Sequence, residues 1–170
     1  ALKAILRTYS NMATGGLTGR WAFPLFTGGG KTQSIVAWLQ AAHEIASQAG
    51  GVVSVSVCAS QVEALCELKR ELVEAGIPED LIALVHSYDA LPEGESITSP
   101  RIVAQKKYAS EPSTPFDLVD SRPILLLTHN RVKGKGGIQQ FTEYNGKPRD
   151  LMVWDESLLS GYNTLAKVNP

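Results

Sequence analysis

At 170 residues, with 44% hydrophobic and 19% charged side chains, the chain has the composition of one globular domain large enough to bury its own core. Its longest apolar runs, such as residues 123–127, are far too short to span a bilayer, and residues 1–9 lead into no signal-peptide pattern. A net charge of −1 excludes a globally basic, nucleic-acid-coating protein, so any polyanion contact must come from a local patch.

In chain order, residues 21–26 read as a strand, with Trp21 and Phe23 as core packing rather than as aromatic rings bordering a ligand. Residues 32–49 read as a helix whose apolar positions are Ile35, Val36, Trp38, Leu39, Ala42, Ile45 and Ala46, closed by Gly50 and Gly51. Residues 52–58 alternate apolar and small polar side chains and predict a strand. From Gln61 the positions Val62, Leu65, Cys66, Leu68, Leu72 and Val73 keep helical spacing until Gly76 and Pro78 stop it. Further strands are predicted at 81–85, 124–128 and 151–154. Helices alternating with short apolar strands imply an α/β fold, a mainly parallel sheet with helices on both faces. Residues 89–122 break the pattern. Pro92, Pro100, Pro112 and Pro115 fall there without sustained periodicity, so this stretch reads as an irregular insertion in a single domain covering 1–170. A short strand at 101–105 and the Lys106, Lys107, Tyr108 cluster, read as a solvated face, belong to it. Cys58 and Cys66 lack metal-ligand spacing and read as buried, reduced thiols, which fits a cytoplasmic protein.

Thr27, Gly28, Gly29, Gly30, Lys31 and Thr32 lie at a predicted strand-to-helix junction. Successive glycines let the backbone wrap closely and aim its N–H groups at phosphate oxygens, and the helix adds its positive end. In such a loop Lys31 reaches the β- and γ-phosphates of ATP and the Thr32 hydroxyl ligates Mg²⁺. Leu25 stands where the general P-loop pattern has its first glycine. The bland alternative is a glycine turn with a surface lysine. The strand at 151–154 then ends in Asp155 and Glu156, two carboxylates at the carboxyl edge of the sheet, where ligands of such folds bind. Asp155 suits the Mg²⁺ shell and Glu156 suits the base that polarises an attacking water. Alone, this acidic strand end could equally cap a helix at Ser157. Beside the glycine loop it reads as the second half of a nucleotide site.

Together these segments resemble the first motor domain of superfamily 2 helicases, the broad DEAD-box-like group. Residues 27–32 resemble that family's Thr-Gly-x-Gly-Lys-Thr loop, and residues 155–158 resemble its Asp-Glu-x-x motif with Ser157 in place of the commoner Ala. Thr128 and Arg131 match the family's Thr-Pro-Gly-Arg segment, which grips a nucleic-acid backbone, and Ala59-Ser60 sits where another such loop falls. In that setting Arg131, Lys133 and Lys135, spaced by Gly134 and Gly136, form a candidate phosphate-contacting cluster on DNA or RNA. No glutamine precedes Gln33, so the strict DEAD-box adenine reader is not in view. The resemblance implies a RecA-like, ATP-hydrolysing helicase or translocase half. It further implies a second RecA-like domain C-terminal to this chain supplying arginine fingers. The alternatives are another P-loop ATPase, such as a DNA-packaging motor, and a binding module that has lost turnover.

Overall fold

A computed structural model describes residues 2–23, 30–86, 111–133 and 141–155. Four strands, β1 (Val55–Ala59), β2 (Ile82–Val85), β3 (Ile124–Thr128) and β6 (Leu151–Trp154), form one sheet in the order β2-β3-β1-β6. Every pairing in it is parallel. The registers align Val55 with Ile124 and Leu151, and Ile82 with Ile124, so all four strands end along one carboxyl edge. A separate two-stranded antiparallel hairpin, β4 (Glu143–Tyr144) and β5 (Lys147–Pro148), precedes β6.

Period-two alternation divides the sheet's side chains between two apolar layers. Val55, Val57, Ile82, Leu84, Ile124, Leu126, Leu151 and Val153 face α2 (Lys31–Gln48) and α3 (Val62–Glu74). Cys58, Ala83, Val85, Leu125 and Leu127 face the other way, against Val119 of α4 (Phe116–Val119), Phe141 and Val132 of α5 (His129–Lys133). The expected α/β fold, a parallel sheet flanked by helices, is what the chain forms. Among the described residues, no helix is long and apolar enough to cross a membrane.

Several boundaries differ from the sequence reading. The strand predicted at 52–58 runs from Val55 to Ala59, and the one predicted at 81–85 begins at Ile82 because Glu79–Leu81 form a 3-10 turn. Residues 21–23 carry no strand. Trp21 is 55% exposed rather than packed in the core, and its indole N–H donates back to the Thr18 carbonyl at 3.3 Å. The remainder of that predicted strand, residues 24–26, lies outside the described residues, as do the predicted strand at 101–105 and Lys106 to Tyr108. Ile45, counted on the apolar face of α2, points to solvent at 68% exposure.

An additional helix, α1 (Leu2–Ala13), was not among the predicted elements. Its spacing explains it: Ile5 is buried, and Leu6, Tyr9, Met12 and Ala13 pack on the first apolar layer from the same face. The end of the patternless stretch is also ordered. Thr114 N–H donates to the Leu84 carbonyl at 2.7 Å and Leu84 N–H donates to Thr114 Oγ1 at 3.0 Å, covering the outer edge of β2. Lys69, only 9% exposed, fastens this return by ion pairs to Glu111 (3.0 Å) and Glu79 (2.7 Å).

The register of β6 is set at its start. Asp150 Oδ2 accepts from Ser54 N–H at 2.8 Å and from Ser54 Oγ at 2.9 Å, while Asp150 N–H donates to Ser54 Oγ at 3.1 Å. Arg149 donates to three backbone carbonyls, of Arg122, Pro123 and Val119, tying the hairpin to the start of β3. Burial pulls its guanidinium down to about 10, against the opposing pull of Asp120 and Tyr144, and it stays charged at neutral pH.

Two outcomes follow from this packing. Asp150→Ala strands a buried Ser54 donor and should lower the unfolding free energy by about 1–3 kcal/mol, read as a fall in the urea midpoint at unchanged slope. Cys58 and Cys66 are free and buried, and burial pushes their thiols up to about 12 and about 11. Raised pKa values keep both groups protonated through neutral pH, so the reactive thiolate is scarce until the solution is strongly alkaline. A thiol-specific disulfide reagent at pH 8 should therefore label neither cysteine in the folded protein and both in denaturant.

Candidate functional site

The helix that starts at Lys31 is preceded by Gly30 in the left-handed conformation, with φ 78° and ψ 23°. A side chain there would be strained, and its Cβ would stand 3.4 Å from the Leu2 side chain of α1. The left-handed turn brings the chain into α2 so that Ser34 N–H donates to the Gly30 carbonyl at 2.9 Å. Lys31 and Thr32 thus occupy the first turn, both half-buried, at the positive end of an eighteen-residue helix.

On the other side, β6 runs parallel to β1 and delivers Asp155 just past its end. Asp155 N–H donates to the Cys58 carbonyl at 2.8 Å, which extends the ladder by one bond and fixes where the carboxylate leaves the sheet. Lys31 Nζ lies 3.5 Å from Asp155 Oδ1, with side-chain exposures of 35% and 25%. Two groups singled out from opposite ends of the sequence therefore meet at the carboxyl edge. Both remain within reach of a solvent-borne ligand.

The Thr32 hydroxyl and the Asp155 carboxylate are hard oxygen donors on neighbouring elements. That donor set suits Mg²⁺, which keeps several waters and takes its remaining ligands from phosphates rather than from a full protein cage. Among the described residues, no group of three or more His, Cys, Asp or Glu is arranged to hold a metal. Thr27, Gly28, Gly29 and Glu156 lie outside the described residues.

The residues assigned to a nucleic-acid surface are distributed differently. Thr128 closes β3 at the same carboxyl edge and is buried, paired with Ala59 across the ladder. Arg131, on α5, turns its guanidinium toward β2: Nη2 donates to the His86 carbonyl at 3.4 Å, and the group lies 5.3 Å over the Phe116 ring. A backbone phosphate contact by Arg131 requires that it leave this arrangement. Lys133 ends α5, and Lys135 lies outside the described residues.

Three side chains at the site were not singled out from the sequence. His129 stacks on Trp154 with ring centroids 4.3 Å apart and planes 13° from parallel, bridging the ends of β3 and β6. Its Nε2 is 3.3 Å from the Cys58 carbonyl. Ser34, in the first turn of α2, donates its hydroxyl to the Lys31 carbonyl at 2.6 Å; Tyr9 of α1 packs edge-on against Trp38 of α2, and helical spacing along residues 2–13 was the available signal for it. Compared with family models, curated proteins and solved structures, the chain has no match.

Proposed function

We propose that the chain is the nucleotide-binding half of an ATP-driven nucleic-acid motor, a P-loop, RecA-like domain that hydrolyses Mg-ATP and couples this to movement on DNA or RNA. One observation carries the reading: the 3.5 Å approach of Lys31 Nζ to Asp155 Oδ1 across the carboxyl edge of a parallel sheet. A nucleoside triphosphate needs a cation for its terminal phosphates and a carboxylate for its magnesium, side by side at a helix start. Residues chosen for those two tasks from sequence patterns have no reason to meet if the patterns are accidental.

In this reading Lys31 binds the terminal phosphates, with backbone N–H groups of residues 27–32 around them. Thr32 and Asp155 hold Mg²⁺, which when bound offsets phosphate charge. Glu156, next in the chain, accepts the proton of the attacking water. Phosphoryl transfer also needs a positive group on the γ-phosphate, commonly an arginine finger worth about 10³–10⁵-fold. Arg131 is engaged with His86 and Phe116, which supports the view that the finger comes from a second RecA-like domain. Nucleic acid is then held along the same edge by the segment from Thr128 to Lys135.

Two measurements test the assignment. Lys31→Ala should weaken ATP binding about ten- to a hundredfold in an NMR titration while circular dichroism is unchanged, the loss of one charge-assisted phosphate contact. Unchanged affinity in the folded variant removes the phosphate loop. Glu156→Gln, assayed with the partner domain and single-stranded nucleic acid present, should bind ATP nearly as well and hydrolyse it about 10²–10⁴-fold more slowly in a single turnover. Turnover within threefold of the parent takes Glu156 out of the mechanism.

A further inference from the structure

Asp155 leaves the sheet just past the end of β6, where its N–H donates to the Cys58 carbonyl at 2.8 Å. That carbonyl has a second neighbour. His129, the first residue of α5 and only 6% exposed, brings its Nε2 to within 3.3 Å of the same oxygen. A carbonyl oxygen only accepts, so Nε2 carries the proton in this contact. The His129 ring also lies flat on Trp154, the residue before Asp155, with centroids 4.3 Å apart and planes 13° from parallel. The Trp154 indole nitrogen is buried and has no hydrogen-bond partner among the described residues, so packing, with the imidazole on its face, sets that ring. One imidazole therefore meets both the acceptor of the Asp155 N–H and the side chain next to Asp155. Among the described residues β6 stands at the edge of the sheet and pairs with β1 alone, so its end has a single ladder to hold it.

We propose that His129 is a positioning residue for the nucleotide site, fixing the exit of β6 through Cys58 and Trp154 so that the Asp155 carboxylate is set for magnesium. This rests on the reading of Lys31 and Asp155 as a nucleotide site. A ligand to Mg²⁺ has to be placed closely, because that ion demands near-ideal octahedral geometry. A carboxylate on a loosened strand end meets that demand in only part of its positions. Lys31 is carried by α2, a separate element, and its attraction for phosphate is that of a point charge, which tolerates small displacements. Loss of His129 therefore falls on the magnesium-dependent part of ATP binding and spares the part that Lys31 supplies.

His129→Leu fills the buried space and deletes both contacts, whereas His129→Phe keeps a ring on Trp154 and deletes only the Nε2 contact. ATP is titrated into the whole chain by amide-shift NMR, once with Mg²⁺ and once with a chelator, and the ratio of the two affinities is the readout. His129→Leu should cut the parent's ratio about three- to tenfold and leave the magnesium-free affinity within about twofold, with His129→Phe between it and the parent. In an Asp155→Asn background, His129→Leu should cost nothing more, since it acts through that carboxylate. A parent-like ratio in either variant overturns the positioning role. Equal losses with and without Mg²⁺, or a further loss on top of Asp155→Asn, make His129 merely structural and overturn it too. Should His129→Leu fail to fold, His129→Phe decides by the same ratio. If the parent gains nothing from Mg²⁺ while Lys31→Ala loses ATP, the phosphate site stands and the proposal falls. If the parent does not bind ATP, or Lys31→Ala binds equally well, the nucleotide site falls and the proposal with it.

Discussion

Asp155 reaches the site because β6 pairs with β1 in one register and no other. The Asp150 carboxylate grips Ser54 at the entry to that pairing, and Asp155 N–H closes it on the Cys58 carbonyl at the exit. In a strand the side-chain period is two, so a slip of a single residue would exchange the faces of Leu151 and Val153 with those of Met152 and Trp154. It would bring apolar side chains out of the α2–α3 layer. It would also move the carboxylate off the edge where Lys31 waits. The hydrophobic layer and the candidate site are thus secured by the same few backbone and carboxylate bonds.

What could be read in advance follows the strength of each signal. The strands at 124–128 and 151–154 are short apolar runs bounded by charged or turn residues, and their ends fall where the pattern placed them. The helices at Lys31–Gln48 and Val62–Glu74 announce themselves by apolar spacing and by glycines at their ends. Failures came where hydrogen bonds that no apolar pattern marks decide the conformation. Trp21 and Phe23 look like strand residues, yet the Trp21 indole turns back on Thr18. The edge of β2 is covered by Ser113 and Thr114, polar residues that no periodicity marks. That Lys31 and Asp155 meet was legible because each stands at a strand-and-helix junction the pattern had located. Tyr9 and Ser34 were not, since a tyrosine on an amphipathic helix and a serine on a helix face carry no such demand.

The two outer ends of the carboxyl edge differ in how they use their polar groups. At the β2 end, His86 is buried, its carbonyl accepts from Arg131, and its ring Nε2 lies 3.0 Å from the Glu111 carbonyl. At the β6 end, Lys31 and Asp155 make a pair that is partly open to solvent. Between them His129, flat on Trp154, joins β3 to β6. A displacement of α5 would therefore be felt at the strand end that carries Asp155, through a stacked contact rather than through a flexible loop. On the proposed reading this links the nucleic-acid segment to the nucleotide site in a few side chains.

The half-exposed setting of Lys31 and Asp155 decides what the pair can be for. An ion pair at 3.5 Å with both partners partly hydrated contributes about 0–1 kcal/mol, too little to explain the placement of either group as a device for stability. A buried pair would be a different matter, because breaking it leaves an uncompensated charge costing about 3–5 kcal/mol. On the proposed reading, a polyanion and its counter-cation enter this weak pair at small cost, the lysine turning to phosphate and the carboxylate to the cation. Earlier in the same strand, Leu151 and Val153 are buried in the apolar layer shared with α2 and α3. On the proposed reading, that partly open pair at the end of the strand is where a charged ligand enters.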